Sequence, residues 1–267
     1  MTIILQNSRI EDIEVATLII DHPALNILDL EHCEELCSCL QEVHADDRAR
    51  LVVLRGGGRC FSAGVDITQH TPELMPTLLP KFHEVFEHLL RLRAVTIAAV
   101  HGHCLGGAAE LALACDRVLS ESTARIGLPE IALGCFPPVA IPFLAARIGQ
   151  GRAIEMMIGG RATALDELAK LGLVHRIGAA GQLDQLLSEE YSMYAGKSPA
   201  LLGIIAGLMH EEARRLWATR IPAVEKEYLE RLLPHPDVVE GISAFLAKRS
   251  PKWQDPDERP DPLEVLR

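Results

Sequence analysis

A pair of glycines and a single acid stand together in one apolar, alanine-rich stretch, HGHCLGGAAELALACD (residues 101–116). A strand pattern ends near His101, and Gly106 and Gly107 stand where a helix begins. The first N–H groups of a helix lack partners within the helix, and glycine lets a ligand carbonyl approach them closely. Glu110 follows Gly107 by three residues, so the two share a helix face. The stretch predicts an anion-stabilising N–H and a general acid or base beside one substrate.

The same stretch also has a purely structural interpretation. Gly106 and Gly107 would then ease close packing, and Glu110 would complement the start of the helix. An acid flanked by Ala109 and Leu111 is costly to bury without a partner or a role, however.

A second glycine-containing turn, GGGRCFSAGVDI (56–67), follows the strand pattern LVVLR (51–55). A backbone N–H near Gly64 and Val65 can join that of Gly107 in a two-donor oxyanion hole. The glycines also suggest a phosphate loop, but neither G-x-G-x-x-G nor G-x-x-x-x-G-K is present. Taken alone, the stretch is equally compatible with an ordinary loop.

A second acid in apolar surroundings occurs in ARIGLPEIALGCFPP (124–138), where Glu130 follows Pro129. Two carboxylates from separate segments can divide the work of activating a water molecule and delivering its proton. The sequence therefore contains the parts of an acid/base pair beside an oxyanion hole.

The elements that must position these residues alternate between strand and helix. Helical patterns cover residues 28–47 and 73–93, and short apolar runs of strand type occur at 13–20, 51–55, 96–102, 117–122 and around 173–177. Such alternation favours an α/β fold with substantially parallel pairing. After about residue 185, successive helical patterns punctuated by Pro follow (198–221 and 221–249). We expect an α/β core over 1–185 and a C-terminal helical region over 186–267, with the tail 251–267 extended on a surface.

Composition excludes several classes of protein. The 267 residues are 48% hydrophobic with 4% aromatic, enough for a core in one or two domains filled by aliphatic side chains. The net charge of -11 argues against general binding of nucleic acid or anionic membranes, although not against an anionic small ligand. No run of membrane-spanning length and no signal peptide are seen. Seven cysteines without a regular framework indicate reduced thiols in a cytoplasmic protein.

Together, the three stretches resemble motifs of the crotonase superfamily, the enoyl-CoA hydratases and isomerases. FSAGVDI is similar to F-x-A-G-x-D, AAVHGHCLGGAAELALACD to A-x-x-G-x-x-x-G-G-x-x-E-L-x-x-x-C-D, and IGLPEIALG to F-G-x-P-E-x-x-x-G. Their order and spacing fit, as do MMIGGRATALDELAKLGLVHRI and AFLAKRSPKW further along, so the resemblance covers nearly the whole chain. It implies a crotonase-like (ββα) spiral core followed by a C-terminal helical trimerisation region.

The resemblance also implies roles for individual residues. The N–H groups of Val65 and Gly107 would bind the thioester oxygen and stabilise the enolate that forms during reaction. Glu110 and Glu130 occupy the positions of the two acid/base glutamates, and because many relatives with other reactions lack one of them, keeping both favours hydration. The chain would then be a hydro-lyase that needs no metal and no cofactor beyond the CoA of its substrate.

Further residues would contact the acyl-CoA. By the same resemblance, the segment from Ser62 to Val65 would approach the adenine. Phe245 and Lys248 would contribute to the CoA site from the same or a neighbouring subunit of a homotrimer or a dimer of trimers. The predicted set around CoA comprises Ser62, Ala63, Gly64, Asp66, Ile67, Gly106, Phe245 and Lys248. Phe136, Pro137 and Val139 would line the acyl pocket.

Two stretches depart from the pattern of common hydratases. CFPPVAIPF stands where those enzymes have a Gly-rich turn resembling I-P-G-x-G-G-T, and its prolines stiffen the backbone while Phe136 and Val139 add bulk. NILD also replaces the usual turn. Both stretches are similar to those of alicyclic dienoyl-CoA hydratases of anaerobic aromatic degradation, which act on cyclohexa-1,5-diene-1-carbonyl-CoA. The acyl group thus stays open between this cyclic diene and a linear trans-2-enoyl chain.

Four other hypotheses remain in competition. His101 and His103 would face one side of a strand as metal ligands, but no third ligand stands at a zinc-like spacing, and core or turn histidines are favoured. Ser62 would be the nucleophile of a hydrolase, but no G-x-S-x-G elbow occurs. A non-enzymatic acyl-CoA binder has little use for two buried acids. An isomerase is the closest chemical alternative, since it uses the same enolate and one of the same acids.

Overall fold

The computed structural model describes residues 2–254. The strands in this part of the chain are β1 (Ile3–Ile10), β2 (Ile13–Ile20), β3 (Leu51–Gly56), β4 (Val95–Val100), β5 (His103–Leu105), β6 (Arg117–Glu121), β7 (Arg125–Gly127), β8 (Ala162–Thr163) and β9 (Arg176–Gly178). The α-helices are α1 (Leu30–Asp46), α2 (Met75–Arg91), α3 (Gly107–Ala114), α4 (Ala140–Ile148), α5 (Gln150–Gly159), α6 (Leu165–Lys170), α7 (Leu183–Ser192), α8 (Pro199–Glu227) and α9 (Pro236–Leu246). Short 3₁₀ turns cover Ile67–Gln69 and Glu130–Leu133, and a π-helical turn covers Tyr228–Leu232.

The main sheet has the order β1-β2-β3-β4-β6-β9 and a smaller sheet the order β5-β7-β8. In the main sheet only the β1–β2 hairpin is antiparallel, which confirms the prediction of substantially parallel pairing. Strand β3 is buried on both faces: Val52 and Leu54 belong to the larger hydrophobic core, and Leu51 and Val53 to the smaller one. Burial on both faces explains why the sequence of β3 is continuously apolar rather than alternating.

Two parts of the fold differ from the sequence-based prediction. Strand β1 was not expected, because only Ile3 of its eight residues is fully buried and an exposed edge strand has little hydrophobic pattern. The predicted break at Pro222 is wrong: α8 continues through it for 29 residues in all. Pro222 is exposed while its neighbours Ile221 and Val224 are buried, so packing of the opposite face holds the helix together despite the missing N–H.

The ends of β3 and β4 position the candidate site. These strands are adjacent and parallel, with Leu51 opposite Val95 and Arg55 opposite Ala99, so the loops after them leave the same edge of the sheet. The first loop contains residues 56–67, and the second leads through β5 into α3.

Most of the predicted tail, residues 255–267, lies outside the described residues. Among the helices of residues 2–254, none combines the length with the apolar character that crossing a membrane requires.

Candidate active site

Backbone hydrogen bonds fasten the two glycine-containing loops to one another. The Ser62 amide donates to the His103 carbonyl at 3.0 Å, and the Leu105 amide donates to the Ser62 carbonyl at 3.2 Å. The Ser62 hydroxyl donates to the Asn26 carbonyl at 2.6 Å and accepts from the Gly64 amide at 3.1 Å. Ser62 is fully buried, and its hydroxyl is used to fix the turn that precedes Val65.

The turn brings the backbone of Val65 close to that of Gly107. A Cβ added to Gly107 would lie 2.8 Å from Val65 Cγ2, and one added to Gly64 would lie 3.8 Å from the Gly107 nitrogen. Both Val65 and Gly107 line one pocket. Neither N–H has a hydrogen-bond acceptor among residues 2–254; Gly107 is the first residue of α3, where no acceptor within the helix exists. Two residues whose N–H groups are unpaired in this part of the chain therefore line the same cavity.

Glu110 projects from the first turn of α3 into this cavity and is only 3% exposed. Its Oε1 accepts hydrogen bonds from the amides of Val139, at 2.7 Å, and Ala140, at 2.8 Å. These amides belong to the start of α4, where N–H groups have no partner within the helix and a negative charge is stabilised. The two amides thus hold Glu110 through Oε1, and its Oε2 is free to contact a ligand in the cavity.

Glu130 lines the same cavity and is the first residue of its 3₁₀ turn. Its Oε1 packs against Gly106: a Cβ at that glycine would come within 3.1 Å of the carboxylate oxygen. Gly106 also has a φ of 57°, which favours glycine there for a second reason. Glu130 Oε2 is buried and has no hydrogen-bond partner within the described chain. A buried carboxyl oxygen of this kind is a candidate for contact with a ligand or a water molecule.

The two acids influence each other's protonation. Burial raises the pKa of Glu130 from 4.5 to about 7. Burial, and then the nearby charge of Glu130, raise the pKa of Glu110 well above its usual range, against the opposing effect of the Ala140 and Val139 amides. Since two like charges in one apolar site disfavour each other, the pair retains a proton near neutral pH. One member can then act as acid while the other acts as base.

The pocket around these groups is mainly apolar and has an empty volume of about 390 Å³, part of it open to solvent. Among the residues predicted for the site, it brings together Val65, Gly107, Glu110, Glu130 and Phe136. Sequence reasoning missed the rest of the lining, which consists of His70, Met75, Leu78, Leu79, Phe82, Pro138 and Tyr228. The aliphatic and aromatic residues of α2 among these carried a signal, because they repeat along one helix face.

His70 and Tyr228 are the polar residues that the motifs did not reveal. The ring of His70 donates from Nδ1 to the Asp66 carbonyl at 3.0 Å, and burial lowers the pKa of this histidine. Its imidazole is therefore neutral at neutral pH, with Nε2 as an acceptor. Tyr228 comes from the C-terminal helical region, almost 100 residues after Glu130. Neither residue stands at a spacing that relates it to the acids.

The other predicted contact residues lie outside the pocket lining. Ala63 and Ile67 are half-buried in the loop that carries Val65, and the Asp66 carboxylate accepts from the Thr68 amide at 2.8 Å. Pro137 and Val139 are buried behind the pocket wall, where Val139 contributes its amide to Glu110. Phe245 is 55% exposed near the end of α9, and Lys248, two residues beyond the helix, is exposed as well. These last two residues stay predictions for a CoA site.

The two histidines that suggested a metal have different surroundings. His103 is exposed, while His101 donates from Nε2 to the Gly58 carbonyl at 3.1 Å. The one set of His, Cys and acidic side chains within residues 2–254 whose atoms approach closely enough for a shared ion is Cys37, Glu84 and His88, between α1 and α2. Glu84 already forms an ion pair with Lys81, and the set lies outside the pocket lining.

Known proteins are similar in sequence to nearly the whole of this chain. A family model described as enoyl-CoA hydratase/isomerase matches residues 11–256. A probable enoyl-CoA hydratase of Bacillus subtilis (strain 168) is 33% identical over 247 residues, covering 90% of this chain and 95% of the relative. The cyclohexa-1,5-dienecarbonyl-CoA hydratase of Thauera aromatica is 29% identical over 233 residues, covering 87% of this chain and 90% of that enzyme.

The fold of this chain is also similar to that of a solved structure. The crystal structure of an enoyl-CoA hydratase from Mycobacterium avium subsp. paratuberculosis K-10 superimposes with a TM-score of 0.81 at 23% identity, covering 94% of this chain and 98% of the other. The similarity confirms the predicted mixed α/β core with a C-terminal helical region.

Proposed function

Because this chain belongs to the enoyl-CoA hydratase/isomerase family, we propose that it adds water across a C=C bond conjugated to a CoA thioester. The observation that supports hydration most strongly is that both Glu110 and Glu130 line the cavity that Val65 and Gly107 also line. Double-bond isomerisation requires the same oxyanion hole but can be carried out by a single acid. A protein that only binds acyl-CoA gains nothing from two buried carboxyl groups.

The proposed reaction begins with the thioester oxygen between the N–H groups of Val65 and Gly107. Negative charge develops on that oxygen as an enolate forms, and removing one such donor typically costs about 3–4 kcal/mol of transition-state stabilisation. A water molecule held by the two glutamates attacks the β-carbon. One glutamate accepts a proton of the water and the other donates a proton to the α-carbon, so that OH and H are added across the bond.

For the acyl group, we propose a flat ring, as in cyclohexa-1,5-diene-1-carbonyl-CoA. Phe136 and Pro138 line the pocket, so the stretch that departs from common hydratases is placed beside the acids. Two consecutive prolines restrict this wall, which suits a rigid ligand better than a flexible chain. The similarity to the Thauera aromatica enzyme supports the same substrate. An ordinary linear trans-2-enoyl-CoA is the alternative.

A direct comparison of substrates tests the proposal. The purified protein would be supplied with cyclohexa-1,5-diene-1-carbonyl-CoA and with crotonyl-CoA in water enriched in ¹⁸O, and products would be followed by mass spectrometry. We expect ¹⁸O in the product and a higher kcat/KM for the ring ester. A preference for crotonyl-CoA would reject the ring but retain hydration. A shifted double bond without ¹⁸O would reject hydration in favour of isomerisation.

We also propose that the chain assembles as a homotrimer or a dimer of trimers. Large apolar side chains are exposed along one face of the first half of α8: Leu201, Ile204, Ile205, Leu208 and Met209. Burying such a face against further copies is favourable. Light scattering after size exclusion should give a multiple of three chains, and Leu208→Glu should lower that mass. A wild-type mass of one chain would contradict the proposal.

A further inference from the structure

Tyr228 is the one pocket residue contributed by the C-terminal helical region within the described chain. It is 3% exposed and lies where α8 gives way to the π-helical turn, whose wider spacing is seen in the hydrogen bond from the Leu233 amide to the Tyr228 carbonyl at 2.8 Å. π-Helical turns are rare, and they occur frequently at functional sites. The irregular turn thus coincides with the residue that enters the pocket.

The phenol ring of Tyr228 is held by aromatic packing. Its centroid lies 5.1 Å from that of Phe136, with the two planes at 72° in an edge-to-face arrangement. Phe136 lines the same pocket. The ring direction is therefore fixed, and the position of the hydroxyl is fixed with it.

Among residues 2–254, the partner of the Tyr228 hydroxyl is a thiol, which is a weak hydrogen-bonding group. The hydroxyl forms a side-chain hydrogen bond with the Cys135 thiol, which itself donates to the Leu133 carbonyl at 3.7 Å. Sulfur is a poor acceptor, so an oxygen atom in the pocket would compete successfully for the phenolic proton. Burial raises the pKa of Tyr228 well above its usual range, so the hydroxyl is a neutral donor near neutral pH.

Tyr228 lines the same pocket as Glu110 and Glu130, which brings the phenol and the two acids to one cavity. We propose that Tyr228 is a further catalytic residue, whose hydroxyl donates a hydrogen bond to the oxygen atom that is added between Glu110 and Glu130. This inference rests on the proposed hydration. It adds a third protein contact to the attacking water.

A count of the water's hydrogen-bonding groups shows what this contact does. Water has two O–H donors and two lone pairs. The two carboxyl groups use the donors, and Tyr228 uses one lone pair, so the remaining lone pair is the one directed at the β-carbon. The phenolic proton stays on Tyr228 throughout. In the reverse direction, the same hydrogen bond stabilises the departing oxygen.

The test separates addition of water from formation of the enolate. Tyr228→Phe removes the hydroxyl and keeps the ring on Phe136. We expect kcat for hydration to fall by about 10-fold, the effect of a single hydrogen bond, with KM within about 3-fold. Exchange of the α-hydrogens of butyryl-CoA in D₂O should stay within about 2-fold of the wild-type rate, because this reaction forms the enolate without adding water.

Tyr194→Phe is the matched control. Tyr194 is also buried, but its hydroxyl donates to Glu190 Oε1 at 3.2 Å, outside the pocket. Its removal should leave both reactions unchanged. Hydration by Tyr228→Phe at the wild-type rate, or an equal loss in both reactions, would overturn the inference. Wild-type protein that hydrates neither crotonyl-CoA nor the ring ester would instead overturn the proposed function itself.

Discussion

Glu110 Oε1 lies 2.7 Å from the backbone nitrogen of Val139, so the acid of α3 is tied to the first turn of α4. This contact explains how a carboxyl group is accommodated in a run of Ala and Leu. The amide fixes one oxygen and directs the carboxyl group toward the pocket, where burial, and then the charge of Glu130, raise its pKa. The same buried position that is costly for folding is the one required for acid/base chemistry.

Removing either acid should abolish most turnover while leaving binding intact. For Glu110→Gln and Glu130→Gln, we expect kcat for hydration to fall by about 10²- to 10⁴-fold, because each glutamate transfers a proton in the proposed reaction. Calorimetric titration with butyryl-CoA, which cannot be hydrated, should give a Kd within about 3-fold of wild type. A variant with wild-type turnover would remove that glutamate from its role.

Glu130→Gln should also change how stability depends on pH. The pKa of Glu130 is raised by burial from 4.5 to about 7, so the folded state holds a proton that the unfolded state releases between these values. The wild-type protein therefore loses stability as pH rises through this window, whereas Gln does not ionise. We expect the Tm of the variant to exceed that of wild type by more at pH 8 than at pH 4.5.

The exposed Glu73→Gln serves as the control for this measurement, and it should show no such trend. An equal difference in Tm between Glu130→Gln and wild type at the two pH values would show that Glu130 ionises normally in the folded protein.

Gly107→Ala should disrupt the oxyanion hole. A Cβ at this position would lie 2.8 Å from Val65 Cγ2 and 2.9 Å from Phe82 Cζ, so these side chains or the start of α3 must shift and disturb the site. We expect at least a 100-fold loss of kcat/KM, comparable to the loss of one donor. Gly151→Ala is the matched control, because no atom lies within 4 Å of a Cβ at that helical position. Equal activity of the two variants would show that the amide of Gly107 is not used.

Asp116 should anchor α8 in a pH-dependent way. Its carboxylate accepts from His210 Nε2 at 3.0 Å and from the Thr96 amide at 2.8 Å. Burial lowers the pKa of His210, but the hydrogen bond to Asp116 outweighs this effect and raises the pKa above 6.5. That contribution to stability is complete below pH 6.5 and is lost as pH rises through the raised value. Asp116→Asn should therefore lower Tm more at pH 5.5 than at pH 9.

The exposed Glu212→Gln should leave Tm unchanged at both pH values. If Asp116→Asn lowered Tm equally at pH 5.5 and pH 9, the charge of His210 would not contribute to holding α8.

The sequence predicted the parts of the site that depend on local pattern. The glycines before α3 and the position of Glu110 follow from helix geometry, and the parallel strands follow from continuous apolar runs. The amide of Val139 on Glu110 and the approach of Tyr228 were not predictable, since both depend on how distant segments pack. Strand β1 was missed for a different reason: an edge strand with one fully buried side chain carries almost no pattern.

A crystal structure of Glu110→Gln with a bound enoyl-CoA ester is the most direct test of the central claim. We expect the thioester oxygen to lie about 2.7–3.1 Å from the nitrogens of both Val65 and Gly107, with residues 110 and 130 beside the two carbons of the double bond. A thioester oxygen bound away from either nitrogen, or an acyl group outside the cavity between these two side chains, would contradict it.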